Sequence, residues 1–553
     1  MEPLRPVISL VPLGGLGEIG RNLMAIECGE DIVVVDCGLM FPEQEMLGID
    51  LVIPDVTWLM ERVQRVRGIV LTHAHEDHIG ALPYVLPRLP VPVYGTSLTL
   101  GFLRNKLKEH KLLDSTDLHT VRAGDTVQLG AIAVEWIHIT HSVPDACSLA
   151  LHTPEGVIIH TGDFKIDQTP VQGAPPDLAR LARLGDDGVL LLLSDSTNAE
   201  HDGTTPSERR VGEGLAPLFA AAPGRILMAT FASNISRLQQ AIDAAVDCGR
   251  KCFIVGRSML NNVRVGQELG FLRTPDIFVS PKQHASVPDD ELAVLCTGAQ
   301  GEPMSALSRI AAGEHPMVQL HEGDTVIISA NPIPGNEEAV HRTINNLYRR
   351  GARVFNSSKH HVHASGHASR EELKLMLTLT RPKYFVPVHG EYRHLAIHAD
   401  IAASVGIARD HILPVDNGTV IDIDADGIHR RGQRVPAGYV YVDGLSIDEA
   451  GDVVLRDRRL LAQDGVVIVA LTVERSTGAV IAGPDLISRG FIEDSATDNL
   501  FDEARAHTLS LVDKLNPDAE WSVWQAAIHE GLSRFLYSRT RRRPMILPVV
   551  TEV

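Results

Sequence analysis

Aromatic residues are scarce in this 553-residue chain, at 5%, and cysteines number only six. Six thiols (Cys28, Cys37, Cys147, Cys248, Cys252, Cys296) cannot staple a chain this long, and three residues rather than two separate Cys248 from Cys252, which fits no zinc knuckle. A disulfide-built secreted scaffold is excluded, and a reducing cytoplasm is expected. No stretch approaches the ~20 apolar residues that cross a bilayer, so no membrane partner is expected. The opening Met1-Glu2-Pro3-Leu4-Arg5-Pro6 has no signal-peptide core. Positive charge is also in deficit. A formal net charge of −19 argues against nucleic-acid binding over the whole surface, but not against a local basic channel. With 44% hydrophobic residues the chain is an ordinary globular protein, too long for one core, and about two to four domains are expected.

Histidine, by contrast, is abundant at 25 residues, and it clusters. Gly68-Ile69-Val70-Leu71 reads as a buried strand ending in Thr72-His73-Ala74-His75-Glu76-Asp77-His78, with three imidazoles and two carboxylates within six residues. Clustered neutral histidines make poor solvated loop residues, so this turn reads as a projection of metal ligands. Imidazole and carboxylate suit zinc, manganese or iron, and no cysteine stands near enough in sequence to suggest a thiolate site. A helix is predicted next, over residues 79–86, limited by Pro87 and Pro90.

Upstream, Gly15, Gly17 and Gly20 satisfy G-x-G-x-x-G after a predicted strand over residues 6–13, and Asp36 stands where a ribose-binding acid would. That fingerprint requires a helix next. Here residues 22–27 alternate as a strand, turn at Cys28-Gly29-Glu30-Asp31 and return as a strand over 32–36. No helix N-terminus is left to hold a pyrophosphate, and a dinucleotide site is rejected. Asp36 either orients a ligand histidine or forms the turn before Gly38.

Other predicted strands also end in ligand-type residues. Residues 132–139 lead to His141, the pair 148–152 and 157–160 leads to Asp163, and the apolar run 189–193 leads to Asp195. His138, His152 and His160 lie within strands and are read as structural. From about residue 205 helices and strands alternate (helices 209–221, 236–248 and 260–269; strands 225–230, 253–255, 292–297 and 325–330), which predicts a doubly wound α/β region inserted into the first domain. Its loops at 231–236, 298–303 and 331–336 follow strand carboxyl ends and are substrate candidates. Lys359-His360-His361-Val362-His363-Ala364-Ser365-Gly366-His367 then brings four histidines into eight residues, suited to anion binding or proton transfer. After a helix over 370–379, the strand 384–388 delivers His389. From about residue 447 a small unit follows, with strands at 465–473 and 478–482, helices at 498–514 and 521–537, and a last strand at 545–550. Its basic run Arg539, Arg541, Arg542 and Arg543 either touches phosphates or is simply solvated.

The set His73-x-His75-x-Asp77-His78, His141, Asp163 and His389 resembles the ligands of the two-metal hydrolases of the metallo-β-lactamase superfamily. The inserted region with Asp195, His367 and His389 resembles the β-CASP nuclease subfamily. Within it, His363-Ala364-Ser365-Gly366-His367, Thr297-Gly298-Ala299-Gln300-Gly301-Glu302-Pro303-Met304 and Ser329-Ala330-Asn331-Pro332-Ile333-Pro334-Gly335-Asn336-Glu337 resemble bacterial ribonuclease J, and Ser488-Arg489-Gly490-Phe491 extends the likeness into the tail. The resemblance implies an αββα metallo-β-lactamase sandwich (1–205 and 358–435) with a doubly wound β-CASP insert (206–357), a linker (436–450) and a small α/β C-terminal domain (451–553) that dimerises. It implies a 5′→3′ exoribonuclease with some endonuclease activity in rRNA and mRNA maturation and decay, acting on single-stranded RNA with 5′-monophosphate ends in the cytoplasm, as a homodimer and beside other RNA-decay proteins.

On this resemblance two divalent cations, zinc, manganese or both, are expected: one on His73, His75 and His141, one on Asp77, His78 and His389, with Asp163 bridging. Such a pair lowers the pKa of a shared water to roughly 7 for in-line attack at phosphorus. His367 is expected to protonate the leaving 3′-oxygen, and Asp195 to orient either His367 or the water. Ser233, His363, Ala364, Ser365, Gly366 and His367 are the expected grip on substrate phosphate. A structural calcium on Gly48, Asp50 and Asp443 is the remaining expectation, although both loops would serve equally as plain turns. Three rivals are a DNA-processing β-CASP nuclease, a small-molecule metallo-hydrolase and a metal-free RNA-binding scaffold. The long insert argues against the second, and the complete ligand set against the third.

Overall fold

A computed structural model describes residues 8–553 except 44, 303, 334, 445, 448–450, 475, 493–496 and 517–518. The first two residues of the expected opening strand and part of the expected linker therefore lie outside the described residues. The chain forms two compact units, one made of the residues up to Phe41 with Val52–Val440, the other of Pro42–Leu51 with Tyr441–Val553.

The first unit is built on two facing sheets. The larger has the order Gly427–Arg430, Ile421–Asp424, Ile8–Gly14, Leu23–Cys28, Asp31–Val35, Val66–Val70, Val93–Gly95, Leu118–Thr120. The smaller runs Tyr384–Val388, Val189–Asp195, Gly156–His160, Cys147–Thr153, Ile132–His138, Thr126–Leu129. Strand Val189–Asp195 shows why a continuous apolar run was needed. Its Leu191 and Leu193 enter the core between the sheets with Leu10, Val35, Trp136 and Val386, while Leu192 faces the other way, among Leu181, Leu373 and Phe385 under the covering helices. A strand buried on both faces has no polar side to alternate with. The helices Leu178–Asp187, Arg370–Thr380 and Tyr392–Ser404 supply that outer layer.

Direction matters more than order for the site. Asp31–Val35 and Val66–Val70 run parallel, as do Gly156–His160, Val189–Asp195 and Tyr384–Val388. Ile132–His138 points the same way as Gly156–His160, because each is antiparallel to Cys147–Thr153 between them. Ligand-type residues at these carboxyl ends thus share one rim. The two strands after Gly20 confirm that no helix follows the glycine motif.

Between strands Val189–Asp195 and Tyr384–Val388 in sequence the chain forms a separate five-stranded parallel sheet in the order Lys251–Val255, Leu292–Cys296, Ile226–Ala229, Thr325–Ile328, Arg353–Asn356, with its own core around Leu227, Val294 and Val326. Its last strand and the helices Ala306–Ala312 and Glu337–Arg349 were not foreseen from sequence. One expectation is corrected. The helix expected over 79–86 is two single turns, Glu76–Ile79 and Leu82–Val85. Pro83 has no N–H to donate to the Ile79 carbonyl, so a continuous helix cannot form. The first turn starts earlier than expected and carries Asp77 and His78.

In the second unit Val466–Val473 pairs antiparallel with Val480–Arg489 and parallel with Met545–Glu552. Val467, Val469, Leu471 and Val473 alternate onto one face and pack with Trp524, Ile528 and Leu532 of helix Trp521–Thr540. Strand Val480–Arg489 outruns the expected 478–482 because a register shift opposite Leu471 accommodates Pro484. Among the described residues no helix is long and apolar enough to cross a membrane. All six cysteines are free thiols.

Candidate metal centre and histidine-rich loop

The rim formed by the strand ends collects Asp36, His73, His75, Asp77, His78, His141, Asp163, Asp195 and His389, and the return from the insert adds His367. Asp36 and His389 hold left-handed backbone (φ 59° and 54°), a conformation that non-glycine residues adopt only when their surroundings fix it.

Two groups of donors stand side by side. In the first, His73 Nε2 and His141 Nε2 each lie 3.1 Å from His75 Nδ1, and Asp163 Oδ2 is 3.6 Å and 3.9 Å from those Nε2 atoms. In the second, His389 Nε2 is 3.2 Å from Asp77 Oδ2 and 3.6 Å from Asp163 Oδ2; His78 Nε2 is 3.5 Å and 3.3 Å from the same oxygens. Asp163 belongs to both groups, and the ligand atoms within each lie within 4.8 Å of one another.

This arrangement fits divalent cations for a reason visible in the first group. Three ring nitrogens converge, and a proton can bridge only one pair of them. A cation accepts a lone pair from each. Burial holds His75 down to about 4 and drives His73 and His141 well below the ordinary histidine value, so all three are the neutral form that metals bind. Burial opposes charge on His78 and His389 too, but Asp163 and neighbouring carboxylates outweigh it and raise both. Asp163 Oδ1 is buried with no hydrogen-bond partner among the described residues.

Each ring is held from behind, which decides the nitrogen that faces inward. Asp36 Oδ2 takes His78 Nδ1 at 2.7 Å and the Thr72 hydroxyl at 2.8 Å, while Oδ1 accepts the Thr72 N–H. The Thr72 hydroxyl reaches His73 Nδ1 at 3.0 Å, Ser142 Oγ meets His75 Nε2 at 3.1 Å, and Thr197 Oγ1 meets His389 Nδ1 at 2.6 Å. His141 Nδ1 donates to the Gly366 carbonyl at 2.7 Å. Only glycine fits there, because a Cβ on Gly366 would stand 2.4 Å from the His141 ring.

Gly366 belongs to the histidine-rich loop, so that loop is fastened directly to the ligand cluster. Beside it, His367 Nδ1 lies 2.8 Å from Asp195 Oδ2, and Asn198 Nδ2 donates to Ser365 Oγ and to the His367 carbonyl. From the insert side, the fully buried Arg237 pairs with Glu208 and donates to Ser329 Oγ at 2.6 Å and the Ala364 carbonyl at 3.4 Å. Its Nη1 also lies 3.3 Å from His363 Nδ1. A guanidinium only donates, so His363 Nδ1 accepts and Nε2 carries the hydrogen. Burial, then Arg237, pushes His363 down to about 3. Ser233 stands in the turn that starts the same helix, Ile235–Asp247.

Arg458 lies among the residues expected to bind calcium. Arg458 pairs with Asp443 and donates to the Leu47 carbonyl at 3.0 Å; a Cβ on Gly48 would meet the same guanidinium, and Asp50 Oδ2 accepts the Gly444 N–H. An arginine already supplies positive charge there. No group of three His, Cys, Asp or Glu ligand atoms forms at this place among the described residues.

Comparison with known proteins matches the metallo-β-lactamase superfamily over residues 16–195, the β-CASP domain of ribonuclease J over 223–347, the RNA specificity domain of Zn-dependent metallo-hydrolases over 355–410, and the ribonuclease J C-terminal domain over 453–553. Ribonuclease J2 of Bacillus subtilis is 42% identical over 99% of both chains. Ribonuclease J 1 of Streptococcus pyogenes is 43% identical over 98% of this chain and 97% of its own, and ribonuclease J of Thermus thermophilus 42% over 99% and 95%. The chain belongs to the ribonuclease J family. A solved protein of unknown function from Enterococcus faecalis shares the fold alone, with TM-score 0.54 and 16% identity over 75% of this chain and all of that one.

For this ribonuclease J chain, sequence reasoning offered Asp36 as an orienting group, which the structure places on His78, but missed the other groups around the ligands. Thr72, Thr197 and Asn198 adjoin flagged residues and could have been found by asking what satisfies each histidine's second nitrogen. Asn22 Nδ2, 3.0 Å from the Asp77 carbonyl and 3.1 Å from His78 Nε2, lies just before strand Leu23–Cys28, in a stretch read only for its alternation. Arg237 left one signal, a charge at a core position of an otherwise buried helix turn.

Proposed function

We propose that this metal-dependent ribonuclease removes nucleotides one at a time from the 5′-monophosphate end of single-stranded RNA, with some internal cleavage, in rRNA and mRNA maturation and decay. The observation that carries the reading is the His141–Gly366 hydrogen bond, with His367–Asp195 beside it. It fixes the anion-binding loop at the ligand cluster, so a terminal phosphate held by the loop sets which phosphodiester meets the cluster.

In this reading His73, His75 and His141 would hold one divalent cation and Asp77, His78 and His389 a second, with Asp163 available to both, and we take zinc or manganese as the ions that fit. When bound, such ions supply Lewis acidity, activating water and neutralising charge on the phosphoryl oxygens. The chain's own residues do the rest. Asp36, Thr72, Ser142 and Thr197 hold the rings in register. Ser233, His363, Ala364, Ser365 and Gly366 bind the terminal phosphate, His363 through its Nε2–H. Asp195 fixes His367 Nδ1, leaving Nε2 to give a proton to the departing 3′-oxygen. Phosphate contacts carry little sequence information, so cleavage is expected to be nearly indifferent to base.

The domain limits 1–205, 206–357, 358–435, 436–450 and 451–553, a homodimer formed through the C-terminal domain, a cytoplasmic location and association with other RNA-decay proteins belong to the same proposal. A structural calcium on Gly48, Asp50 and Asp443 also belongs to it, and that ion would have to displace Arg458 from Asp443. Matched 5′-phosphorylated RNA and DNA strands of one sequence test the substrate: RNA is expected to be degraded faster, and faster degradation of DNA would overturn the reading.

A further inference from the structure

The mechanism leaves unused the strongest concentration of positive charge in an acidic chain. Residues 534–543 hold five arginines and no acid, whereas the whole chain has a net charge of −19. They close helix Trp521–Thr540 and lead into strand Met545–Glu552, within the C-terminal unit. Arg539, Arg541, Arg542 and Arg543 are all exposed.

Their partners divide them. Arg534 and Arg539 pair with Glu530 (3.1 Å) and Glu503 (2.7 Å), and the Arg542 guanidinium donates to the Phe491 carbonyl. Arg541 and Arg543 do neither. Their guanidinium carbons lie 5.5 Å and 4.7 Å from the ring centre of Tyr537, itself exposed, and among the described residues neither guanidinium forms an ion pair. Arg539 stands 5.7 Å from the Phe535 ring in the same way. A plain solvated face would scatter its charges with acids between them. Here two planar cations whose guanidinium groups have no acidic partner among the described residues flank one exposed aromatic ring, although Asp464 accepts the Arg543 backbone N–H at 2.9 Å; the group offers both phosphate donors and flat surfaces on which a base can stack.

Resting on the ribonuclease reading, we propose that Tyr537, Arg541 and Arg543 form an auxiliary site for single-stranded RNA, which holds the body of a long substrate while its 5′ end is processed. The site takes phosphates through Arg541 and Arg543 and a base against the arginine–tyrosine stack. It has no donor pattern for one base, so it is sequence-tolerant. A duplex keeps its bases stacked inside and gains only the charge.

The test uses the full chain, metal-loaded, and two RNAs with 5′-monophosphates: a 5-mer and a 30-mer, the latter also as a cleavage-resistant phosphorothioate strand for binding. For R541Q/R543Q and for Y537A, the expected result is unchanged turnover of the 5-mer, a Kd for the phosphorothioate 30-mer raised about five- to tenfold, and KM for the cleavable 30-mer raised with kcat retained. For the double variant the slope of log K against log salt should fall by about 1.4, two single-strand phosphate contacts at roughly 0.7 each. R541K/R543K, which keeps charge without the planar stack, is expected to keep the salt slope yet bind more weakly. Unchanged Kd and salt slope in the double variant would overturn the proposal. So would a shift of oligomeric state with RNA binding intact, which would make the patch a protein interface. Failure of the wild type to cleave the 5-mer would instead count against the ribonuclease reading.

Discussion

Asp36 accepts the His78 Nδ1 hydrogen bond at 2.7 Å, with both residues 1% exposed and 42 positions apart in sequence. The contact turns His78 Nε2 toward Asp77 and Asp163, and it locks the end of one strand to the helical turn that follows the next. The ligand cluster is therefore held in place by the sheet itself.

Replacing Asp36 by Asn keeps a hydrogen-bond acceptor but removes the charge that fixes the ring and strengthens its basicity. Metal affinity is expected to fall about 10- to 100-fold. Metal content after dialysis should drop, and excess zinc or manganese should restore turnover. Full occupancy of the dialysed variant would contradict this role.

Gly366→Ala places a Cβ 2.4 Å from the His141 ring. Either His141 or the loop must shift, and a displacement near 1 Å at such a site costs about 100-fold. A loss of that size in kcat/KM is expected, checked against a melting temperature close to wild type. Near-normal activity would mean that the loop and His141 are not coupled.

His363→Gln and His363→Asn separate its two nitrogens. Glutamine can keep a donor near the Nε2 position; asparagine can keep only the acceptor facing Arg237. Preference for 5′-phosphate over 5′-hydroxyl RNA is expected to survive better in the glutamine variant and to fall about tenfold or more in the asparagine variant, the scale of one hydrogen bond to a charged group. Measured KM ratios for the two ends decide it.

A pH effect is expected away from the site. Arg180 holds the Glu135 carboxyl below its ordinary value, burial opposes the shift, and His152 adds to it. The folded pKa is depressed, so the stabilisation is present above the unfolded value and disappears as pH falls through the folded one. Thermal melts should show Glu135→Gln less stable than wild type at pH 7, with the gap closing below about pH 4. A gap that stays constant with pH would exclude the ion pair as its source.

Much of this was readable in the chain because strand ends are readable: an apolar run stops where a polar ligand begins, and His73, His141, Asp163, Asp195 and His389 each follow that rule. The helix expected over 79–86 is interrupted at Pro83, ahead of the limits that Pro87 and Pro90 would set. Strand Arg353–Asn356 was missed because its residues are only partly buried and carry no apolar run. Groups such as Asn22, Thr197 and Arg237 act across long separations, up to 192 positions for Thr197 and His389, and no local pattern marks such pairs.

The central claim is that a 5′-phosphate held by the His363–His367 loop sets the cut at the ligand cluster. Product analysis of 5′-labelled, 5′-monophosphorylated single-stranded RNA, with metal-stripped protein refilled with zinc or manganese, tests it most directly. The account expects labelled mononucleotide as the main early product, with the full-length strand disappearing, at most a few discrete labelled fragments from internal cuts, and no labelled ladder in one-nucleotide steps. A ladder of strands shortened one nucleotide at a time that keep the 5′ label would mean degradation from the 3′ end and would contradict the account.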